Sequence, residues 1–292
     1  LAWLQEASAG PSAAVRRSAQ GEAAARGKST PKRQLLTFEI FVDLLRGFEP
    51  SHRIIKDLSA ANVFREFYSY IKGSAEALDC PTGTLSRQAY LDLPVKQTAV
   101  LPAQRPAIYD LFEAFRRKLR TQLEKKKIYY DLQDLVLHLK KQLTALGDAP
   151  RPFTAVHRMV CDEVQDLTQA ELSLLLLAIS DKNGLFACGD SAQTISKGVG
   201  FRFKDVNSLF HGIPGAAQPQ LTQLTRNYRT HQGIVECAST IVTVMSTHWP
   251  QHVDSSRTGT PCDEPHAAFA CRHWVWMRSG ASLRLSCCQP HR

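Results

Sequence analysis

The amino-acid sequence predicts an α/β protein in which a parallel sheet, covered by helices, follows an all-helical block. Residues 34–148 contain apolar side chains at helical spacing. From Pro150 onwards, short apolar runs alternate with helical patterns, an order typical of parallel strands connected by helices. Hydrophobic residues make up 43% of the 292-residue chain and charged residues 22%, which is typical of a folded globular protein.

The all-helical block contains four predicted helices, each recognised by an apolar stripe. Their ranges are 38–45, Ala60–Ile71, Ile108–Lys126 and Asp131–Leu146. Gly47 and Pro50 end the first helix and Gly147 ends the last, because glycine and proline commonly stop a helix. The stretch Pro81–Thr84 interrupts the helical pattern and is predicted to be a loop.

Two predicted strands after Pro150 end in acidic turns. The strands and the helix between them are Phe153–Val160, Thr168–Ser180 and Leu185–Cys188. Asp162 and Glu163 follow the first strand, and Asp190 follows the second. Because ligands of parallel sheets bind at the carboxyl ends of the strands, we expect both acidic turns at the functional edge of the sheet.

The chain divides into four predicted regions. They are a low-complexity basic arm (1–33), a helical insertion subdomain (34–148), an α/β domain (149–248) and a loosely structured tail (249–292). Because the chain begins with Leu1, we expect it to be a fragment of a longer protein.

The net charge of +9 lies largely in the arm and the tail. A basic balance suits a nucleic acid partner, DNA or RNA, whereas charged tails are also commonly only solvated. Both interpretations stay open at this point. Lys125–Lys127 is interpreted as a solvated helix end.

The eight cysteines predict a reduced, intracellular protein. They form no C-x-x-C pair, so the sequence has the spacing of neither a zinc site nor a disulfide framework. The ten histidines have no metal spacing, and we expect no structural metal. The longest apolar run, Leu174–Ile179, is too short to cross a bilayer, and the N-terminus has no signal-peptide pattern. We therefore expect no membrane partner and an intracellular location, nuclear or cytoplasmic.

The segment Val160–Asp166, with the sequence VCDEVQD, has the chemistry of a magnesium–nucleotide site. An apolar strand delivers Asp162 and Glu163 at its tip. An Asp at this place holds Mg²⁺ directly or through water, and a Glu orients and deprotonates the attacking water. The alternative is a solvated acidic turn, which also follows many strands.

Two further polar clusters follow, GDSAQTI at Gly189–Ile195 and NYRT at Asn227–Thr230. Together with DEVQD at Asp162–Asp166, their order and spacing resemble the UvrD/Rep-like family of superfamily 1 helicases, whose signatures read DEFQD, GDxxQSI and NYRS. Other stretches, among them Lys197–Phe203, are similar to a eukaryotic branch of that family. The resemblance covers about residues 35–265.

The resemblance implies a partial RecA-like P-loop NTPase domain that binds ATP and Mg²⁺, with the helical block inserted on top of it. Asp162 would bind Mg²⁺ with ATP, and Glu163 would be the general base. Gln193 would sense the γ-phosphate and couple it to a nucleic-acid groove. Asp190 would lie beside Gln193 at the strand tip.

The same resemblance implies roles for the third cluster and for the end of the first. Tyr228 would stack on the adenine, and Arg229 would contact the γ-phosphate in the manner of an arginine finger. Gln165 and Asp166 would link the hydrolysis site to neighbouring loops. Arg229 also suits a helix cap and Tyr228 also suits core packing, and these alternatives stay open.

The sequence departs from the family's pattern at the phosphate loop, whose backbone N–H groups and Lys hold the β- and γ-phosphates. The only candidate, Gly27–Thr30, has Glu22 where the motif has Gly, and Pro31 follows it directly. We interpret this tetrapeptide as a coincidence. The motor motifs expected downstream of Arg229 are also missing, so the chain is interpreted as the middle of a motor.

These observations are compatible with three functions. The chain is part of a working ATPase or helicase whose phosphate loop lies upstream, a degenerate scaffold for protein partners, or a nucleic-acid-binding module without hydrolysis. The presence of Asp162, Glu163, Gln193 and Arg229 favours the first function, because a scaffold needs no such set of acidic and basic groups. We expect little or no ATPase activity from this chain alone.

Overall fold

The computed structural model describes residues 32–48, 58–95, 97–98, 100–121, 127–145, 156–211, 213, 215–223, 230–248 and 274–278. The helices are α1 (Phe38–Arg46), α2 (Ala60–Arg65), α3 (Ala75–Asp79), α4 (Arg87–Leu91), α5 (Arg105–Thr121), α6 (Leu132–Ala145), α7 (Gln169–Ala178), α8 (Phe203–Ser208) and α9 (Gln232–His248). The strands are β1 (Lys32–Leu35), β2 (Lys127–Tyr130), β3 (Met159–Cys161), β4 (Leu185–Asp190), β5 (Gln220–Gln223) and β6 (Trp274–Arg278). This mixture of helices and short parallel strands is compatible with the predicted α/β class. None of the helices in these ranges is both long and apolar enough to cross a membrane.

Short polar side chains begin the first helices of the helical block. The capping residues of α1 to α4 are Thr37, Ser59, Ser74 and Ser86. Each side-chain oxygen accepts a hydrogen bond from the backbone N–H three residues further on. Such a cap satisfies an N–H group that the helix leaves unpaired and contributes about 1 kcal/mol. A π-helical segment, Glu66–Ile71, follows α2 without a break. The helix predicted over Ala60–Ile71 is therefore present, first as an α-helix and then as a π-helix.

Aromatic rings form the core of the helical block. The Phe41 ring of α1 lies 4.9 Å from that of Phe64 and 5.1 Å from that of Phe115, measured between centroids. These three side chains are at most 6% exposed. Burial of each ring stabilises the fold by about 1.5–3 kcal/mol relative to an exposed ring, and the tilted ring contacts add to this.

A two-stranded parallel sheet, whose first strand begins at Lys32 in the predicted arm, belongs to the helical block, which corrects the prediction that this block is all-helical. Lys32 of β1 lies opposite Lys127 of β2, and Leu35 lies opposite Tyr130. The sequence KIYY of β2 is rich in the β-branched and aromatic residues that favour strands. Its partner strand is remote in the sequence, so no hairpin pattern indicates the pairing. The interpretation of Lys125–Lys127 as a helix end is therefore wrong for Lys127, which begins a strand.

β3 and β4 form the predicted parallel pair, and α7 connects them. Met159 lies opposite Leu185, and Cys161 lies opposite Ala187. Part of the predicted first strand lies outside the described residues, and β4 extends beyond its predicted end as far as Asp190. Both strands therefore end at the same edge of the sheet, as the sequence predicts.

The connecting helix α7 is apolar around most of its circumference, and it is covered on two sides. Leu172 and Leu176 pack with Leu185 of β4. Ala170 packs with Val136 of α6, which belongs to the helical block. A helix that is buried on both sides needs apolar residues around most of its circumference, which explains its run of four leucines.

Hydrogen bonds donated by backbone N–H groups join the helical block to the α/β unit. The Ala170 N–H donates to the Gly73 carbonyl at 2.8 Å, and the Gly200 N–H donates to Ser69 Oγ at 2.9 Å. A side chain at position 200 would force the Tyr70 side chain to shift, because a Cβ there would lie 2.2 Å from the Tyr70 hydroxyl oxygen. The loop after β4 therefore lies directly against the π-helical segment.

β5 and β6 complete a four-stranded sheet in the order β3-β4-β6-β5. β6 runs antiparallel to both of its neighbours, so β5 is parallel to β4. The sequence predicts a loosely structured tail over 249–292. Within that tail the structure describes Trp274–Arg278 alone, as the strand β6, and its apolar, aromatic sequence WVWM favours this conformation.

Candidate functional site

The turn after β3 places Asp162 and Glu163 at the carboxyl end of the strand. Asp162 Oδ1 accepts one hydrogen bond from the Glu163 N–H at 2.9 Å and another from the Cys188 thiol at 2.9 Å. Both carboxylates are exposed. Among the described residues, none donates a hydrogen bond to Asp162 Oδ2, so this oxygen is left for water or a metal ion.

The Glu163 backbone has a left-handed conformation, with φ 53° and ψ 39°. For a residue that carries a Cβ, this conformation costs about 1–2 kcal/mol. Backbone strain of this kind persists where the surrounding structure enforces it, and it is common at functional sites. The left-handed backbone is therefore a further indication that Glu163 has a functional role.

The Gln165 side chain links the tips of the two strands. Its amide nitrogen donates to the Glu163 carboxylate, and its amide oxygen accepts a hydrogen bond from the Asp190 N–H at 3.0 Å. Gln165 is 1% exposed, and its bond to the Asp190 N–H is buried away from competing water, whereas the Glu163 carboxylate at the other bond is exposed. Gln165, for which the resemblance implies a linking role, has Glu163 and Asp190 as its partners.

The turn after β4 contains Asp190 and Gln193, of which only Gln193 is exposed to solvent. Asp190 is 3% exposed. Its Oδ1 accepts a hydrogen bond from the Ala192 N–H at 3.0 Å, and its Oδ2 accepts one from the Gln193 amide at 2.6 Å. Asp190 therefore shapes the turn and positions Gln193, and Gln193 is the residue that can reach a ligand.

Asp166 connects the turn after β3 to the loop that follows Gln193. Its Oδ1 accepts hydrogen bonds from the Ile195 N–H at 3.2 Å and the Ser196 N–H at 3.0 Å. The same loop continues to Gly200, which contacts the helical block. This loop is therefore held at one end by the Asp166 carboxylate of the DEVQD segment. Its other end contacts the π-helical segment.

Cys188 is a residue of this site that the sequence analysis missed. Burial, followed by the hydrogen bond to Asp162, raises the pKa of the Cys188 thiol to about 12. The thiol therefore stays protonated at neutral pH and acts as a donor to the carboxylate. Strand register is the signal for this contact: Cys161 lies opposite Ala187, so the next residues, Asp162 and Cys188, lie side by side.

Other predicted site residues, namely Tyr228, Arg229 and the candidate loop Gly27–Thr30, lie outside the described residues. In the described ranges, no group of three or more His, Cys, Asp or Glu side chains could hold a metal ion. A Mg²⁺ ion at the Asp162–Glu163 turn would therefore need water and nucleotide phosphates for its remaining ligands, as Mg²⁺ commonly does.

Replacing Gly189 with Ala is expected to destabilise the protein by about 1–3 kcal/mol. A Cβ at this position would lie 2.4 Å from Gln165 Oε1 and 3.0 Å from Val164 Cγ2, so the amide that links the strand tips has to move. The free energy of unfolding in urea measures the loss. Gly233→Ala is the matched control, because an added Cβ there meets no atom of the described residues within 4 Å outside its own helix, and alanine favours the helix there. Equal losses for the two variants would disprove the close contact.

The chain is similar to TPR and ankyrin repeat-containing protein 1 from Homo sapiens, with 36% identity over 240 residues. The match covers 78% of the present chain but 8% of the human protein, so the chain spans less than a tenth of that relative's length. No protein-family model matches the chain, and no solved structure matches it.

Proposed function

We propose that this chain is the central part of a UvrD-like, RecA-type motor in which ATP hydrolysis is coupled to movement along nucleic acid or to its remodelling. The observation that carries the proposal is the link between the two strand tips, in which Gln165 bonds to both Glu163 and Asp190. A site that hydrolyses a nucleotide and reports its state needs groups on neighbouring strands that move together. The resemblance in three motifs supports the same function.

The oxygen donors after β3 suit a Mg²⁺–ATP complex. Mg²⁺ prefers oxygen ligands, and Asp162 offers an exposed carboxylate whose Oδ1 is held by two donors. When bound, the ion would neutralise charge on the nucleotide phosphates. Gln193 would contact the γ-phosphate from the tip of β4, while Tyr228 and Arg229 would hold the adenine and the γ-phosphate.

Glu163 is the proposed general base. It would accept a proton from the water that attacks the γ-phosphorus, while the bond to the β–γ bridging oxygen breaks and ADP and phosphate leave. The Gln165 amide holds the carboxylate by a hydrogen bond. A carboxylate fixed in this way is oriented before the nucleotide arrives.

The chain alone is expected to hydrolyse ATP only at the background rate. Triphosphate binding draws on the backbone N–H groups and the Lys of a phosphate loop, and Gly27–Thr30 does not fit that motif. The test compares phosphate release by this chain with release by a longer polypeptide that adds an upstream G-K-[ST] loop, both with Mg²⁺.

Turnover by the longer polypeptide alone would support the proposed function. Turnover by the short chain that Glu163→Gln abolishes would contradict the prediction for the short chain. If neither polypeptide hydrolysed ATP, the motor function itself would be refuted.

A second candidate function is a scaffold for protein partners. The name of the human relative contains two repeat types, TPR and ankyrin, and stacked repeats form extended binding surfaces. Affinity capture from cells, with and without the double substitution Asp162→Ala and Glu163→Ala in the longer protein, distinguishes the two functions. Partners retained by the double variant would favour the scaffold, whereas partners lost with it would favour a hydrolytic cycle.

A further inference from the structure

Gln193, the proposed γ-phosphate contact, is followed by a loop of residues 194–200, which we call the sensor loop. The Asp166 carboxylate holds the start of this loop. At the other end, the Gly200 N–H donates to Ser69 Oγ at 2.9 Å, and Ser69 is 4% exposed. The sensor loop therefore connects the turn after β3 with the π-helical segment of the helical block.

Two glycines allow the sensor loop to pack closely against aromatic side chains of the helical block. Gly198 has a φ of 90°, and a Cβ there would lie 2.6 Å from two ring carbons of Phe64. Val199 is buried, and a Cβ at Gly200 would lie 2.2 Å from the Tyr70 hydroxyl oxygen. Close-packed groups of this kind transmit a displacement to their neighbours. A shift of the Tyr70 side chain therefore displaces the sensor loop.

The part of the helical block that meets the end of the sensor loop is π-helical. Hydrogen bonds in a π-helix join residues five apart, as the Lys72 N–H and the Phe67 carbonyl do at 3.1 Å. Such segments are rare and occur frequently at functional sites. A change to α-helical bonds, which join residues four apart, would rotate Ser69 and Tyr70 relative to the sensor loop.

Both ends of the π-helical segment are anchored within the helical block. At the first end, the Tyr90 hydroxyl donates to Glu66 Oε2 at 2.6 Å, and Glu66 is completely buried. At the other end, the Lys72 ammonium contacts Asp131 and Asp134. Anchored ends confine a change of bonding to the residues between them, where the sensor loop makes its contacts.

A displacement of the sensor loop would reach the tips of both strands. Ile195, whose N–H donates to the Asp166 carboxylate, lies two residues after Gln193. Asp166 ends the short helical turn that begins directly after Glu163. The position of the sensor loop therefore affects both the proposed γ-phosphate contact and the proposed general base.

We propose that the π-helical segment regulates the hydrolysis site, because it sets the position of Gln193 through the sensor loop. This inference rests on the proposed function, whose γ-phosphate contact it places under the control of the helical block. When Ser69 holds Gly200, the sensor loop has one position, and Asp190 holds the Gln193 amide at the tip of β4. When that bond is broken, the loop has more positions, and Gln193 is less often in place for the γ-phosphate. Ser69 is thus a positioning residue.

The first experiment measures hydrogen exchange of this chain without nucleotide. Ser69→Ala removes the acceptor at the end of the sensor loop, and we expect the Ile195 and Ser196 amides at its start to exchange about threefold faster or more. Ser74→Ala is the matched control. Ser74 is also 4% exposed, and its Oγ accepts one backbone N–H bond, but from Ala77 within the helical block. Ser74→Ala should leave both amides unchanged.

The second experiment uses the longer polypeptide that includes an upstream phosphate loop. Ser69→Ala is expected to weaken binding of a non-hydrolysable ATP analogue by about threefold to tenfold and to leave the affinity for ADP unchanged, because ADP has no γ-phosphate for Gln193 to contact. A purely structural loss would weaken both ligands equally. Ser74→Ala should leave the ratio of the two affinities at its wild-type value.

A pair of glycine substitutions tests the same link from the side of the loop. Gly198→Ala should reproduce both effects of Ser69→Ala, because the added Cβ presses on the Phe64 ring. Gly215→Ala is its control, since Gly215 also has a positive φ, of 78°, but an added Cβ there meets no atom of the described residues within 4 Å beyond its chain neighbours. Unfolding curves in urea establish that each variant is folded.

Unchanged exchange at Ile195 and Ser196 in Ser69→Ala, or an equal change in Ser74→Ala, would overturn the link. An unchanged ratio of analogue to ADP affinity would overturn the regulatory role while the wild type still binds and hydrolyses ATP, so the proposed function would stand. A wild-type longer polypeptide that neither binds nor hydrolyses ATP would refute the proposed function, and the regulatory role with it.

Discussion

Replacing Glu163 with Gln, in a polypeptide that joins this chain to an upstream phosphate loop, is expected to lower kcat for ATP hydrolysis by about 100- to 10,000-fold. Glutamine keeps the shape of the side chain and can still accept the hydrogen bond from Gln165, but it cannot take a proton from water. The affinity for ATP should change little, because the proposed base acts on water and not on the nucleotide. Initial rates of phosphate release over a range of ATP concentrations separate kcat from KM.

The matched control for this substitution is Glu76→Gln. Glu76 is exposed in α3 and lies in the helical block, away from the strand tips. The substitution Glu76→Gln should leave kcat unchanged. If Glu163→Gln also left kcat unchanged, another group would have to deprotonate the water, and Glu163 would keep only its structural bond to Gln165.

Short-range patterns in the sequence are sufficient to predict the elements of the site. Apolar runs separated by a helical pattern predict β3 and β4 side by side, and the structure has this pair. Asp162 and Glu163 follow β3, and Asp190 ends β4. These predictions hold because strand alternation, glycine and acidic turns are properties of a few neighbouring residues.

Contacts between remote residues cannot be predicted in this way. The Gln165 amide oxygen reaches the Asp190 N–H, 25 residues further along the chain, and no local pattern indicates that bond. The contact between Cys188 and Asp162 depends on the register of β4 against β3. The pairing of β1 with β2 likewise joins segments that are remote in the sequence. A shift of one residue in register would move every side chain of a strand to the other face, so the chemistry of the site depends on packing that the sequence pattern leaves undetermined.

Replacing Lys72 with Met is expected to lower the free energy of unfolding by about 3 kcal/mol. The Lys72 side chain is 15% exposed, and its ammonium contacts Asp131, which is 8% exposed, and Asp134. Without the ammonium, two carboxylates remain together at the start of α6 with little water around Asp131. The loss is measured as a lower urea midpoint with an unchanged slope.

The pH dependence of stability should change in the same variant. Burial acts to lower the pKa of Lys72, but Asp131 and Asp134 outweigh it and raise the pKa. Because the folded-state pKa is raised, the contribution of Lys72 is fully present below its unfolded pKa of about 10.4 and is lost as the pH rises through the folded-state pKa. Lys72→Met should therefore lose less stability at alkaline pH than the wild type does.

A compensating triple substitution separates the effect of charge from the effect of packing. Adding Asp131→Asn and Asp134→Asn to Lys72→Met is expected to recover most of the loss, because no unpaired charge is left and asparagine also caps helices well. Lys141→Met, on an exposed lysine of α6, should stay within about 0.5 kcal/mol of the wild type. If the triple variant were as unstable as Lys72→Met, lost packing would explain the effect. Recovery would instead mean that charge neutrality holds the end of the π-helical segment against the start of α6.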